Sequence, residues 1–265
     1  MPPYVDVHAH LDHRDFSKDL DDVMVRAKIS GVKVIIAQGV NHESNQQVLA
    51  LAKKYDIVKA ALGLYPLDAI NVKVPDSYFS EEPLLSRTKT DVDTTLAFIE
   101  KNKSGIMAIG EVGMDLKFTQ DLKTQKENFQ KIIDLSKKIK KPLIVHSRKA
   151  EKETIGMLES AGAKQVVMHC FGGSHKLVKR IEDAGWMLTI PANVVRSSHF
   201  SELVKKVHIS RLLTETDAPY LSADPGKRNE SSEVVGAVKV IAKIKGMTEV
   251  DTANAIFQNY QDMFL

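Results

Sequence analysis

The 265-residue chain is 43% hydrophobic and 27% charged, a composition able to bury a large core and one that excludes general disorder. A net charge of +3 and a pI of about 8.7 permit contact with a polyanion but fall short of a dedicated nucleic-acid-binding module. The single cysteine excludes an intrachain disulfide, no apolar run approaches the roughly 18 residues of a membrane span, and the start MPPYVDVHAH lacks a secretory signal, so a cytoplasmic protein with no place in a membrane is expected.

From the N-terminus onward, short apolar runs alternate with longer amphipathic segments. The runs predicted as strands are Tyr4 to His8, Lys33 to Gly39, Ile57 to Gly63, Ile106 to Gly110, Leu143 to His146, Gln165 to His169, Trp186 to Ile190 and Arg211 to Glu215. Helices are expected between them over Ser17 to Ser30, Glu43 to Tyr55, Asp91 to Lys103, Asp121 to Lys140 and Lys149 to Ala161, with Gly31, Gly105 and Gly162 closing three of these in left-handed caps. Leu64 to Thr90 is the longest stretch without periodicity and is expected to cover the rim after the third strand. After the eighth run, Ser231 to Lys245 and Thr248 to Phe264 read as two helices, one more than a barrel needs. Eight βα units with no break in composition predict one α/β domain over residues 1–265, a (β/α)8 TIM barrel with an extra C-terminal helix.

Six residues able to ligate a metal fall at the C-terminal ends of these strands: His8 and His10 in DVHAH, Glu111 in GEVG, His146 in LIVHS, His169 in VVMHC and Asp217 in LLTETD. Residues two apart on a strand share a face, so His8 and His10 can converge on one ion. A site drawing on strands one, four, five, six and eight requires a closed barrel, in which strands one and eight are neighbours. Imidazole and carboxylate donors suit Zn²⁺, Mn²⁺ or Mg²⁺, and six ligands divided over two ions leave open positions that four on one ion would not. The expected division places His8, His10, Glu111 and Asp217 on one ion and Glu111, His146 and His169 on the other, with Glu111 bridging. Two divalent metal ions roughly 4 Å apart can activate a water for hydrolysis. Asp217 is then a candidate catalytic residue as ligand and proton acceptor, and Glu215, on the same face, a candidate to orient a ligand.

Other chemistry-bearing residues have plainer readings. His13, His42, His175 and His199 lack strand-end placement and read as surface, His199 being the one able to meet substrate, and His208 reads as bottom-face or surface. Cys170 reads as a buried structural thiol, and Lys131 to Lys141 as the solvated face of a helix. Gly110, Gly113, Gly172 and Gly173 fit tight turns as well as phosphate-cradling loops.

With these residues in view, the chain resembles the TatD family of metal-dependent deoxyribonucleases, within the amidohydrolase-like hydrolases. DVHAHL, GEVGMD, PLIVHSR, HCFGG, LTETDAPYL and GKRNES occur in family order from end to end. The resemblance implies a TIM barrel, a divalent metal pair on the same six residues, and hydrolysis of DNA phosphodiesters, often as an exonuclease. It also draws Arg148, Arg228 and Asn229 toward the rim as groups that meet a phosphate or organise the site. Two positions depart from the family pattern. Tyr65 in GLYP stands where the family usually has histidine, and Ser231 stands where proline often follows RNE. A phenol donates a hydrogen bond but carries no positive charge, which leaves a hydrolase of a small amide, ester, lactone or acyl ester as the alternative. A non-catalytic nucleic-acid-binding or scaffold protein would have no need of all six ligands. Oligomeric state is not legible in the chain.

Overall fold

Apolar runs without polar alternation become strands buried on both faces, as a parallel sheet wrapped in helices demands. The computed structural model describes residues 1–72 and 91–265. Its strands are β1 Tyr4–Ala9, β2 Val32–Gln38, β3 Val58–Leu62, β4 Ala108–Gly113, β5 Leu143–His146, β6 Val166–Met168, β7 Met187–Pro191 and β8 Leu212–Glu215. They form one sheet in sequence order, every neighbouring pair parallel. The seam between β1 and β8 closes through a parallel bridge of Ala9 with Ala218, where the His10 N–H donates to the Ala218 carbonyl at 2.8 Å and the Asp217 N–H to that of His8 at 2.8 Å.

Around the strands lie α1 Leu20–Ser30, α2 His42–Lys54, α3 Pro66–Ala69, α4 Val92–Lys101, α5 Leu122–Ile139, α6 Glu151–Ser160, α7 His175–Asp183, α8 Ser198–Lys206, α9 Val234–Lys245 and α10 Glu249–Phe264. α5 shows why they form: Gln125, Phe129, Ile132, Ile133, Ser136 and Ile139 recur at helical spacing and, with Leu135, are the residues it buries. α10 is the extra helix; its Asn259 amide donates to the Ile209 and Leu212 carbonyls at 2.7 and 2.8 Å, pinning it beneath the start of β8.

The structure moves several expected boundaries. α1 starts at Leu20 rather than Ser17, because a 3-10 turn, Arg14–Phe16, capped by His13, intervenes. Gly31 closes α1 with φ 97°, as a left-handed cap requires, and Gly162 has φ 64° just past α6. Gly105 is no such cap. α4 stops at Asn102, whose side-chain amide donates to the Phe98 carbonyl at 2.8 Å, and Gly105 ends a 3-10 turn that follows. Within the stretch expected to be aperiodic, Pro66–Ala69 forms a helical turn, while 73–90, and with it the reading of a rim cover, lies outside the described residues. β4 runs three residues further than its apolar pattern indicated, so Glu111 sits inside the strand and not at its end.

Candidate metal centre

β1 delivers alternate residues to the barrel interior, so Asp6, His8 and His10 share a face. Asp6, fully buried, accepts from the Thr216 N–H at 2.9 Å and the Thr216 hydroxyl at 2.6 Å, which ties β1 to the end of β8. Immediately beyond, Asp217 takes a left-handed conformation, φ 57°. Its turn is held by Asn229, whose buried amide donates to the Thr216 and Tyr220 carbonyls at 2.8 and 2.7 Å. That turn aims the Asp217 carboxylate at both β1 histidines: Oδ1 lies 3.4 Å from His8 Nε2 and 3.3 Å from His10 Nε2, and the two nitrogens lie 3.3 Å apart.

Glu111 faces the same place from β4. Its backbone is fixed on both sides, the N–H donating to the Gly39 carbonyl at 3.0 Å and the carbonyl accepting from the Leu64 N–H at 3.1 Å. Glu111 is 4% exposed, and its two carboxylate oxygens divide their neighbours. Oε2 lies 3.6 Å from His8 Nε2 and 3.5 Å from His10 Nε2; Oε1 lies 2.9 Å from His146 Nδ1 and 3.7 Å from His169 Nε2.

These spacings test whether the residues fit a metal. Charged hydrogen bonds are shorter, about 2.7–2.9 Å. Four donors bound tetrahedrally at about 2.0–2.1 Å from one ion stand roughly 3.3 Å from one another. The contacts among His8, His10, Glu111 and Asp217, at 3.3–3.6 Å, match the second pattern. His8 is 0% exposed and stacks flat on His169 at 3.6 Å; its Nδ1 has no hydrogen-bond partner, so Nε2 is its one nitrogen engaged with polar atoms. His8, His10, Glu111 and Asp217 thus fit a divalent cation, while the 2.9 Å contact of His146 Nδ1 with Glu111 Oε1 has the length of a hydrogen bond.

Charge follows the same geometry. Burial and the neighbouring His169 hold the His8 ring below the usual imidazole range. At His10 burial acts downward but is outweighed by the Asp217 hydrogen bond and by the Glu111 and Asp217 charges, which bring it up to about 9. His169, against burial, is raised to about 10 by Glu215, Asp217 and Glu111. Burial pushes the Glu111 and Asp217 carboxyls up, yet the surrounding imidazoles prevail and keep both below the ordinary carboxylate range.

A second tier of polar groups holds the first. Glu215, fully buried, meets His169 Nδ1 at 2.8 Å and the Cys170 N–H at 3.1 Å. Asp115, which sequence reasoning passed over, sits at the centre of the β3, β4 and β5 loops: its carboxylate accepts from the Tyr65 hydroxyl at 2.7 Å and from Arg148 Nε at 2.8 Å, and meets His146 Nε2 at 3.1 Å. The Tyr65 proton is therefore directed at Asp115. Arg228 pairs its guanidinium with both oxygens of Asp19 and lies over the Phe16 ring, both in the segment between β1 and α1. His13 is not a surface residue, since its side chain is only 10% exposed and packs on Tyr220. His199 meets the Phe171 carbonyl at 2.9 Å, His208 is exposed, and Cys170 is half-buried.

Comparison with known proteins agrees over the whole chain. A family model described as TatD related DNase matches residues 5–265. A mouse protein named putative deoxyribonuclease TATDN3 is 34% identical, covering 95% of this chain and 86% of its own length. The Bacillus subtilis protein YabD, named an uncharacterized metal-dependent hydrolase, is 32% identical over 98% of both chains. The crystal structure of YJJV, a TatD homologue from Escherichia coli K12, superimposes with a TM-score of 0.83 at 25% identity, covering 98% of this chain and 97% of the other.

Proposed function

The chain belongs to the TatD related DNase family, and from that premise and the geometry of the rim we propose that it is a deoxyribonuclease hydrolysing DNA phosphodiester bonds, trimming strands from an end. The observation that carries the reading is the Glu111 carboxylate, which presents Oε2 to His8 and His10 and Oε1 to His146 and His169. A single carboxylate so placed would offer one oxygen to each of two cations. We assign His8, His10, Glu111 and Asp217 to one and Glu111, His146 and His169 to the other, drawn from Mg²⁺, Mn²⁺ and Zn²⁺. Bound there, such cations supply polarisation of a water and of the phosphate and neutralise charge on the leaving oxygen.

The protein's own groups do the rest. Asp217, held ionised by His10, His169 and His8, accepts the proton of the attacking water. Glu215 fixes the His169 ring through Nδ1. Arg148, anchored by Asp115, offers a guanidinium to a phosphate oxygen. Tyr65 braces that arm and leaves substrate contact to Arg148, so the absence of a histidine at this position does not remove the anion-binding charge. Among the described residues no helix is long and apolar enough to cross a membrane. With one thiol and no disulfide, the enzyme suits the cytoplasm.

The test follows an end-labelled single-stranded DNA with chelator-treated protein to which Mg²⁺, Mn²⁺ or Zn²⁺ is returned, Glu111→Gln serving as control. Progressive shortening that depends on cation and is lost in the variant is the expected result. Intact DNA in every cation, with the protein folded, would overturn the nuclease reading.

Cation binding should also depend on pH in a fixed direction. With His10 titrating at about 9 and His169 at about 10, both rings carry a proton at neutral pH and must lose it to bind a cation. Affinity therefore rises with pH and levels off above about 10. Calorimetry at pH 7 in buffers of different ionisation enthalpy should reveal proton release; affinity independent of pH between 7 and 9 would contradict these assignments.

A further inference from the structure

We infer that Asn45 is a positioning residue: its buried amide locks the backbone around Glu111 and so sets where the Glu111 carboxylate meets the two groups of histidines. The functional half of this inference rests on the proposed cation pair; the lock itself stands on backbone geometry.

A glycine follows each of β2 and β3, Gly39 and Gly63, and Glu111 on β4 is held against both. Its N–H crosses the end of β3 to reach the Gly39 carbonyl at 3.0 Å, and its carbonyl accepts from the Leu64 N–H at 3.1 Å. So close an approach leaves no room for a side chain. A Cβ added at Gly63 would stand 2.4 Å from both the nitrogen and the carbonyl oxygen of Glu111. Neither glycine has a positive φ, so both are required by space and not by backbone conformation.

A residue without a side chain offers nothing of its own to hold a backbone in place, and Asn45 supplies the hold. It is 0% exposed, in the first turn of α2, where its N–H donates to the Asn41 carbonyl at 2.8 Å and the Asn41 side chain caps the helix by accepting from the Ser44 N–H at 3.0 Å. From there the amide grips Gly63 twice: Nδ2 donates to its carbonyl at 2.9 Å, and Oδ1 accepts from its N–H at 2.9 Å. The same Oδ1 sits against Gly39, where an added Cβ would stand 2.0 Å from it. One side chain therefore contacts both glycines that flank Glu111. An amide suits the place because it carries a donor and an acceptor side by side, as a peptide group does. Alanine would strip the buried Gly63 N–H and carbonyl of these partners and open a space beside Gly39. Because Glu111 turns Oε2 toward His8 and His10 and Oε1 toward His146 and His169, a shift of its backbone disturbs both groups together.

The test compares Asn45→Ala with Asn259→Ala, a control that removes another buried amide clamp, the one on the Ile209 and Leu212 carbonyls beneath the start of β8. In metal-free protein, amide hydrogen exchange followed by NMR should show the Glu111 and Leu64 N–H groups exchanging about 10-fold faster relative to the β6 amides in Asn45→Ala, and unchanged relative to them in Asn259→Ala. Calorimetric titration with Mn²⁺ should show both binding events weakened by about 10–100-fold in Asn45→Ala at parental stoichiometry, with parental affinity in Asn259→Ala. A purely structural role would lower the folded fraction, and with it the stoichiometry, while leaving the affinity of the folded molecules alone. Glu111 and Leu64 exchanging in step with β6 in Asn45→Ala would overturn the inference, as would parental Mn²⁺ affinity in that variant or an equal loss in Asn259→Ala. Should Asn45→Ala not fold, Asn45→Ser, which retains a single hydroxyl for Gly63, takes its place with the same readouts. Should the parent bind no Mn²⁺, the cation pair falls as a reading, and the exchange comparison alone decides whether Asn45 holds Glu111.

Discussion

Asp217→Asn is expected to lower DNA hydrolysis by about 10³-fold, the scale of losing a positioned proton acceptor, while leaving the barrel folded. Both halves of that expectation come from the turn after β8. The backbone of Asp217 closes the barrel seam through its N–H on the His8 carbonyl, and the substitution leaves that bond in place. At φ 57° the residue occupies left-handed space, where asparagine is as well tolerated as aspartate. The side chain changes its chemistry and nothing else: an amide keeps one oxygen for His8 and His10 but has no negative charge with which to hold a cation or take a proton. The thermal midpoint should stay within about 3 °C of the parent, the span of roughly 1 kcal/mol in a domain of this size. Single-turnover cleavage of labelled DNA measures the first effect and circular dichroism melting the second. Near-parental cleavage would remove Asp217 from the mechanism, and loss of fold would show that its charge serves the structure.

The barrel was legible because its cause is local and repeated. Each strand is a short apolar run buried on both faces, and the residue just past a run is carried to the rim whatever the details of the helix that follows. That is why His8, His10, His146, His169 and Asp217 could be picked out by position alone, and why the structure brings their polar atoms together. Glu111 was legible as a residue but not in depth. The strand continues through Glu111, Val112 and Gly113 because backbone bonds to Gly39 and Leu64 hold it, and no apolar pattern encodes such bonds.

What the sequence left hidden depends on loops meeting in space. Asp115 stands in the quoted motif GEVGMD, yet nothing in the strand-end pattern sets it apart. Its role arises only when Tyr65, fifty residues earlier, and Arg148, thirty-three later, converge on it. Arg228, which the family pattern drew to the rim, meets Asp19 between β1 and α1, a partner so distant in the chain that no local pattern indicates it. Asn229, which the resemblance drew to the rim, organises the Asp217 turn through backbone carbonyls, a role that strand-end spacing alone does not reveal.

Gly113→Ala should destabilise the protein by about 2–5 kcal/mol, combining backbone strain with a forced overlap. Gly113 pairs with His146 across the β4–β5 ladder and adopts φ 137°, a conformation that side chains other than glycine rarely take. A Cβ there would stand 1.9 Å from the His146 carbonyl oxygen, and backbone cannot swing aside as a flexible side chain can. Relief requires β4 and β5 to separate. That separation would also break the Met114 N–H bond to the same carbonyl, now 3.1 Å, and draw Glu111 and Asp115 away from the His146 ring they flank. Cation binding and cleavage should therefore fall further than the folded fraction does. Gly156→Ala is the matched control: this glycine lies within α6 with nothing inside 4 Å of its would-be Cβ, so the same added methyl should stabilise by about 0.5–1 kcal/mol. Urea denaturation of the two variants beside the parent gives both signs in one experiment. A parental midpoint for Gly113→Ala would mean that β4 and β5 do not approach as closely as the described geometry has them, and with it the bridge of Glu111 between the two sets of histidines would lose its support.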